Sequence, residues 1–162
     1  MNINLTKLNY KFNKKPLLVG GKAMEYYGLR NAGEDIDLVV VEEDLIGLIM
    51  LYPNRVKDLW GDLGVCPYEF EIWKTICFFD YDFYREDSIE KENYLIISLE
   101  KLIFMKALAY KKDKYFEDFK MIVKDILDRQ GGKYEEINLA NKKLLAGLGR
   151  NISYIEKAGP TE

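Results

Sequence analysis

A chain of 162 residues, 48% hydrophobic and 14% aromatic, carries enough apolar side chains for one domain that buries about two-thirds of its unfolded surface. Its formal charge of −3 argues against tight binding of duplex DNA, and the absence of histidine removes Ser–His and Cys–His nucleophile schemes and the usual zinc sites. No apolar run reaches the roughly 20 residues that span a bilayer, no basic–apolar–cleavage signal opens the chain, and Cys66 and Cys77 have neither metal nor disulfide-framework spacing, so a reduced, cytoplasmic setting is expected.

Residues 1–14 suit a short polar helix or an arm leading into the first strand, the apolar run Leu17-Leu18-Val19. Gly20 and Gly21 follow, able to take positive φ and to let a ligand approach the backbone. They open a short helix over Lys22 to Tyr27, with Ala23, Met24 and Tyr27 on one face and Gly28 as its stop. A helix start after a strand presents free N–H groups and the positive end of a dipole, which favours phosphate. For the glycine pair alone, a tight strand-to-helix turn is the favoured account.

Asp35-Ile36-Asp37-Leu38-Val39-Val40-Val41 reads as the next strand, apolar on both faces and therefore central. Residues i and i+2 of a strand share a face, so Asp35 and Asp37 project together. Two such carboxylates repel unless a cation neutralises them, and hard oxygen ligands suit magnesium or manganese.

Glu42 to Leu51 is expected to be helical, with Glu42, Glu43 and Asp44 favourable in its first turn and Pro53-Asn54 ending it. Tyr68 to Phe78 reads as a third strand, with Phe70 and Ile72 on one face and Glu69 and Glu71 on the other. The acidic stretch from Asp80 through Glu92 reads as a solvated loop. Two helices follow, Ser98 to Tyr110, with Ser98 as cap, and Asp113 to Arg129, stopped by Gly131-Gly132. Lys106 falls within the apolar stripe of the first, where it either snorkels or meets an anion. A last amphipathic helix is expected over Asn138 to Lys157, weakened by Gly147 and Gly149, before a frayed end at Gly159-Pro160-Thr161-Glu162. Strands early and helices late predict an α+β (mixed α/β) class in a single domain 1–162, with a small sheet core over 15–95 and helices over 96–158.

The order Gly20-Gly21, short helix, Asp35-Ile36-Asp37 resembles the nucleotidyltransferase superfamily, whose catalytic domain has the DNA polymerase beta-like fold. The closer likeness is to small prokaryotic nucleotidyltransferases of toxin–antitoxin and abortive-infection systems. Gly20 to Ala23, Gly28-Leu29-Arg30 and Asp35 to Leu38 carry it. The resemblance is dense over residues 17–41 and looser to about residue 122.

It implies transfer of a nucleoside monophosphate from an NTP to an acceptor hydroxyl. Asp35, Asp37 and a third carboxylate on a neighbouring strand would hold Mg2+ or Mn2+. Glu71 is the choice for the third, with Glu69, Asp80 and Asp82 as alternatives. Glutamate there departs from the family's usual aspartate. Gly20, Gly21 and Lys22 would hold the leaving pyrophosphate, and Lys106 would meet phosphate or a site carboxylate. Arg30 would contact phosphate or pair with Glu34 or Asp35. Lys114 and Glu117-Asp118 resemble the family's Lys-Asp-x-Glu-Asp segment, with Tyr115 in place of its first aspartate, and the lysines from 101 to 114 form a local basic stretch. Tyr26, Tyr27 and Trp73 are aromatic candidates for base stacking. The acceptor stays open among a protein, a tRNA end and a small molecule. The glutamate and the short chain also motivate a second expectation, a non-catalytic protein of the same fold acting as an antitoxin-like partner or nucleotide sensor.

Overall fold

The computed structural model describes residues 3–131 and 133–150. Contacts within the chain gather into two compact units, Met1–Val123 and Lys124–Glu162. The class is α+β, as expected.

The first unit is built on a sheet. After a 3-10 turn at Leu5–Leu8 come β1 (Leu17–Leu18), α1 (Gly20–Tyr26), β2 (Ile36–Val39) and α2 (Glu42–Leu51). A hairpin of β3 (Val56–Leu59) and β4 (Asp62–Val65) leads to β5 (Phe70–Trp73). A small second sheet pairs β6 (Thr75–Ile76) with β7 (Phe79–Asp80), and α3 (Tyr81–Tyr84), β8 (Ile89–Glu90), β9 (Leu95–Ile96) and α4 (Leu99–Leu108) follow. The main sheet runs β3-β4-β5-β2-β1-β9-β8. β2 therefore lies in the middle, as its apolar faces predict, parallel to β5 and antiparallel to β1. Leu17, Leu18, Leu38, Ile72 and Ile96 are fully buried and form the sheet's share of the core, joined by Met24, Leu45, Leu48 and Leu102 from the helices.

Asp44, in the first turn of α2, is buried rather than facing water. Its carboxylate accepts from the Tyr10 hydroxyl, the Asn13 N–H and side-chain amide, and the Lys14 N–H, at 2.8–3.2 Å. A buried carboxylate is tolerable only when saturated in this way. It fastens the N-terminal arm to the sheet's helix.

Two expectations are corrected. Tyr68 to Phe78 is not one strand: β5 stops at Trp73, and the chain enters the second sheet. The cause is Asp62, whose carboxylate accepts from the Thr75 hydroxyl and the N–H groups of Cys77 and Phe78, drawing the strand into a turn. The acidic stretch is partly ordered, since Asp80 caps α3 by accepting from the Phe83 N–H. The hairpin over residues 56–65 was not anticipated, because β3 is exposed at all four residues and shows no alternation.

α5 (Asp113–Gly131) runs from the first unit into the second, which also holds α6 (Tyr134–Gly147). α6 begins four residues before the expected Asn138 and closes at Gly147. The expected continuation over residues 151–157 and the frayed end lie outside the described residues. Among the described residues no helix is long and apolar enough to cross a membrane.

Candidate functional site

The turn from β1 into α1 is shaped around Asp37. The Val19 N–H donates to the Asp37 carbonyl at 3.0 Å, locking the turn to β2. Gly20 then takes φ +62°, and a Cβ there would overlap the Asp37 carboxylate. A glycine is needed for both reasons. Gly21 differs: a Cβ there meets only Ala32 and Arg30 at ordinary contact distance, 3.8 Å. Gly20→Ala is therefore expected to displace Asp37 and lower the melting temperature, while Gly21→Ala leaves Asp37 in place and lowers it by less than half as much, both read by scanning calorimetry.

On the adjacent parallel strand, Glu71 is the register partner of Asp37, so the two side chains stand next to each other on one face. Asp35, one residue before β2 begins, is exposed and opens onto the same cavity. Burial and the neighbouring Glu71 charge push the Asp37 carboxyl up to about 6, against hydrogen bonding from Gly21 and the charge of Lys106. The rival third carboxylates are engaged elsewhere. Glu69 pairs with Lys7, Asp80 caps α3, and Asp82 pairs with Arg85 and Lys14. Among the described residues no three Asp, Glu, Cys or His side chains form a ready metal cage. Asp37 and Glu71 are register neighbours, and Asp35 lines the same cavity. Their chemistry fits Mg2+ or Mn2+, since magnesium commonly keeps its waters and takes one or two carboxylates together with substrate phosphates.

Arg30 pairs with neither Glu34 nor Asp35. Its guanidinium forks onto Asp118 of α5, at 2.5 and 2.9 Å, and also donates to the Asn31 carbonyl. Lys106 meets Oδ2 of the same carboxylate, the oxygen that Arg30 Nη2 also holds, at 2.8 Å, and is almost wholly buried, with its ammonium 4.7 Å from the Tyr115 ring centre. Burial alone would raise the Asp118 pKa, but hydrogen bonds from Arg30 and Lys106 outweigh it and hold the group below the ordinary carboxylate value. Two cations on one carboxylate leave net positive charge beside Asp37; the hydrogen bond to Asp118 first, and the Asp37 charge to a smaller extent, strengthen Arg30's hold on its proton against burial. Sequence reasoning met Asp118 only within a segment likeness. Its partners lie 88 and 12 residues away, and no local pattern reveals them.

These groups line a cavity of about 560 Å3, within the range of small-molecule sites. Gly20, Gly21, Arg30, Asp35, Asp37, Glu71 and Lys106 all reach it. Lys22 does not line it: its ammonium turns to Glu25 at 3.6 Å. Tyr26 and Tyr27 are also elsewhere, edge-on to each other, with the Tyr27 hydroxyl donating to the Ile97 carbonyl. Trp73 does line the cavity, and so do Trp60, Phe78, Tyr115 and the lysines at 111, 112 and 114. Trp60 and Phe78 escaped the sequence reading because both sit in turns that only the folded β3–β4 and β6–β7 pairings define.

Compared with models of protein families, with curated proteins and with solved structures, the chain matches none.

Proposed function

We propose that this chain is a metal-dependent nucleotidyltransferase that moves a nucleoside monophosphate from an NTP to an acceptor hydroxyl. The observation that carries the reading is the Asp37–Glu71 pair across adjacent parallel strands, with Asp35 on the same cavity and the Gly20-Gly21 turn packed against it. Two carboxylates held this close, one pushed up to about 6, make a site that gains from a divalent cation. Bound Mg2+ would supply charge stabilisation at the transferring phosphorus and activate the acceptor hydroxyl.

The chain's own residues divide the remaining work. Asp35, Asp37 and Glu71 would hold the cation. The glycine turn gives the phosphates room beside Asp37, and no side chain can intrude at Gly20. Arg30 and Lys106, fixed by Asp118, place positive charge on the wall of the cavity, and Lys111, Lys112 and Lys114 add to it. In the reaction the acceptor oxygen bonds to the α-phosphorus, the bond to the β-phosphate oxygen breaks, and pyrophosphate leaves. The hydroxyl proton passes to solvent or to a site carboxylate. A protein hydroxyl, a tRNA end and a small molecule all suit this chemistry.

Calorimetric titration of each of the four NTPs, with and without magnesium, tests the reading on the wild type and on Asp37→Asn. Magnesium-dependent binding of an NTP, weakened at least tenfold in the variant, is the expected result. Binding of no NTP would overturn it. Release of pyrophosphate once an acceptor is supplied separates an enzyme from a non-catalytic nucleotide sensor with the same site.

A further inference from the structure

The carboxylates and cations of the site share the cavity lining with large aromatic side chains. Trp60 is at the tip of the β3–β4 hairpin, with φ +61° and 95% exposed. Phe78, in the turn between β6 and β7, has φ +67° and is 75% exposed. Both line the cavity. A bulky residue in the left-handed region is disfavoured, and leaving large rings in water forgoes their burial, so two such residues on one wall call for a reason beyond folding. Among the described residues neither ring stacks on another aromatic or carries a cation over its face.

The wall is built rather than loose. Asp62 begins β4 directly after the Trp60-Gly61 turn, and its carboxylate holds Thr75, Cys77 and Phe78. The two turns are thereby tied to one residue. The Gly61 N–H donates to Asp58, and a Cβ on Gly61 would come within 2.8 Å of the Phe78 ring edge. Phe78 thus rests against the backbone next to Trp60. The two turns that carry the rings are fixed before any ligand arrives, which lowers the entropy lost on binding.

We propose that Trp60 and Phe78 form a stacking platform for the base of the nucleotide, so that the site selects its NTP by ring area, purines over pyrimidines. This rests on the nucleotidyltransferase reading, because that reading puts the triphosphate against the carboxylates and lysines that line the same cavity. Every nucleobase has a π-face, and stacking on it is tolerant of base identity but grows with ring size. The polar side chains on this wall do not favour reading of base edges: the Thr75 hydroxyl donates to Asp62, and Asp62 already serves three donors.

The test measures binding of magnesium-loaded ATP, GTP, CTP and UTP, and of inorganic tripolyphosphate as a baseless probe. The proteins are the wild type, Trp60→Ala and Trp60→Phe. The expected result is that ATP and GTP bind the wild type more tightly than CTP and UTP. Trp60→Ala weakens ATP roughly tenfold, as loss of one stacking partner does, leaves tripolyphosphate unchanged and narrows the purine preference, while Trp60→Phe restores most of the ATP affinity. ATP binding that is equal in wild type and Trp60→Ala would overturn the platform and leave the nucleotidyltransferase reading standing. Equal weakening of ATP and tripolyphosphate would also overturn it, because Trp60 would then act through the fold or the phosphates. A wild type that binds neither probe would overturn the underlying reading, and the platform with it.

Discussion

Asp118→Asn is expected to cost about 3–5 kcal/mol of stability, the largest effect of any single substitution in this site. The carboxylate is 1% exposed and holds two cations, Arg30 through two hydrogen bonds and Lys106 through one. Asparagine keeps the shape and removes the charge, so a buried ammonium and a largely covered guanidinium face each other with nothing between them. In a domain of this size the loss should lower Tm by on the order of 10 °C, measurable by scanning calorimetry. The pH dependence follows from the direction of the shift. Asp118 sits below its ordinary value in the folded protein, so its stabilisation is fully present above the unfolded carboxylate value, about 3.9, and is lost as pH falls below it. The variant should therefore differ from the wild type most at neutral pH and converge with it in acid. A Tm at pH 7 within 2 °C of wild type would mean that the ion pairs are solvated and that Lys106 is held by its apolar neighbours instead.

Much of the positioning in this site was legible in the sequence, because it is local. Gly20 and Gly21 mark the turn, Asp35 and Asp37 fall two apart on one strand, and Ser98 caps α4 by accepting from the Lys101 N–H. Glu42 to Leu51 begins and ends as read, with three acids at its start and Pro53 just beyond its end. Each of these depends on neighbours within a few residues. The register of Glu71 beside Asp37 was readable only in part: alternation set both Glu69 and Glu71 opposite the face of Phe70 and Ile72, and only the depth of Glu71 in the strand separated the two.

What stayed hidden depends on partners distant in sequence. Arg30 had acids at 34 and 35 within reach on paper, yet the fold brings Asp118 to it, and a buried acid competes better for a guanidinium than an exposed one. Strand Tyr68 to Phe78 looked continuous because its residues favour strands throughout. Asp62 interrupts it from a hairpin that the sequence did not announce, and the same interruption creates the Phe78 turn. Lys22 follows the glycines as a phosphate-binding lysine would, but Glu25, one helical turn on, captures it.

In the metal-free protein, Asp37→Asn is expected to raise stability at pH 7.5 while removing magnesium binding. The Asp37 carboxyl titrates near 6 because burial and Glu71 oppose its charge. A raised value means that the folded state keeps a proton which the unfolded chain releases from about pH 4 upward. Stability from this group is complete below about pH 4, declines as pH rises, and is gone above about 6. Asparagine carries no such penalty. The half-buried position and residual solvent moderate the effect to on the order of 2 kcal/mol, or about 5 °C in Tm. The advantage of the variant should vanish at pH 4 and be fully developed by pH 7. Magnesium should reverse the order, stabilising the wild type by mass action and leaving the variant unchanged. For the same reason magnesium affinity of the wild type should fall as pH drops through 6, where the cation competes with the proton on Asp37. A variant no more stable than wild type in chelator at pH 7.5 would show that Asp37 and Glu71 are not opposed, and would remove the electrostatic reason for placing a divalent cation between β2 and β5.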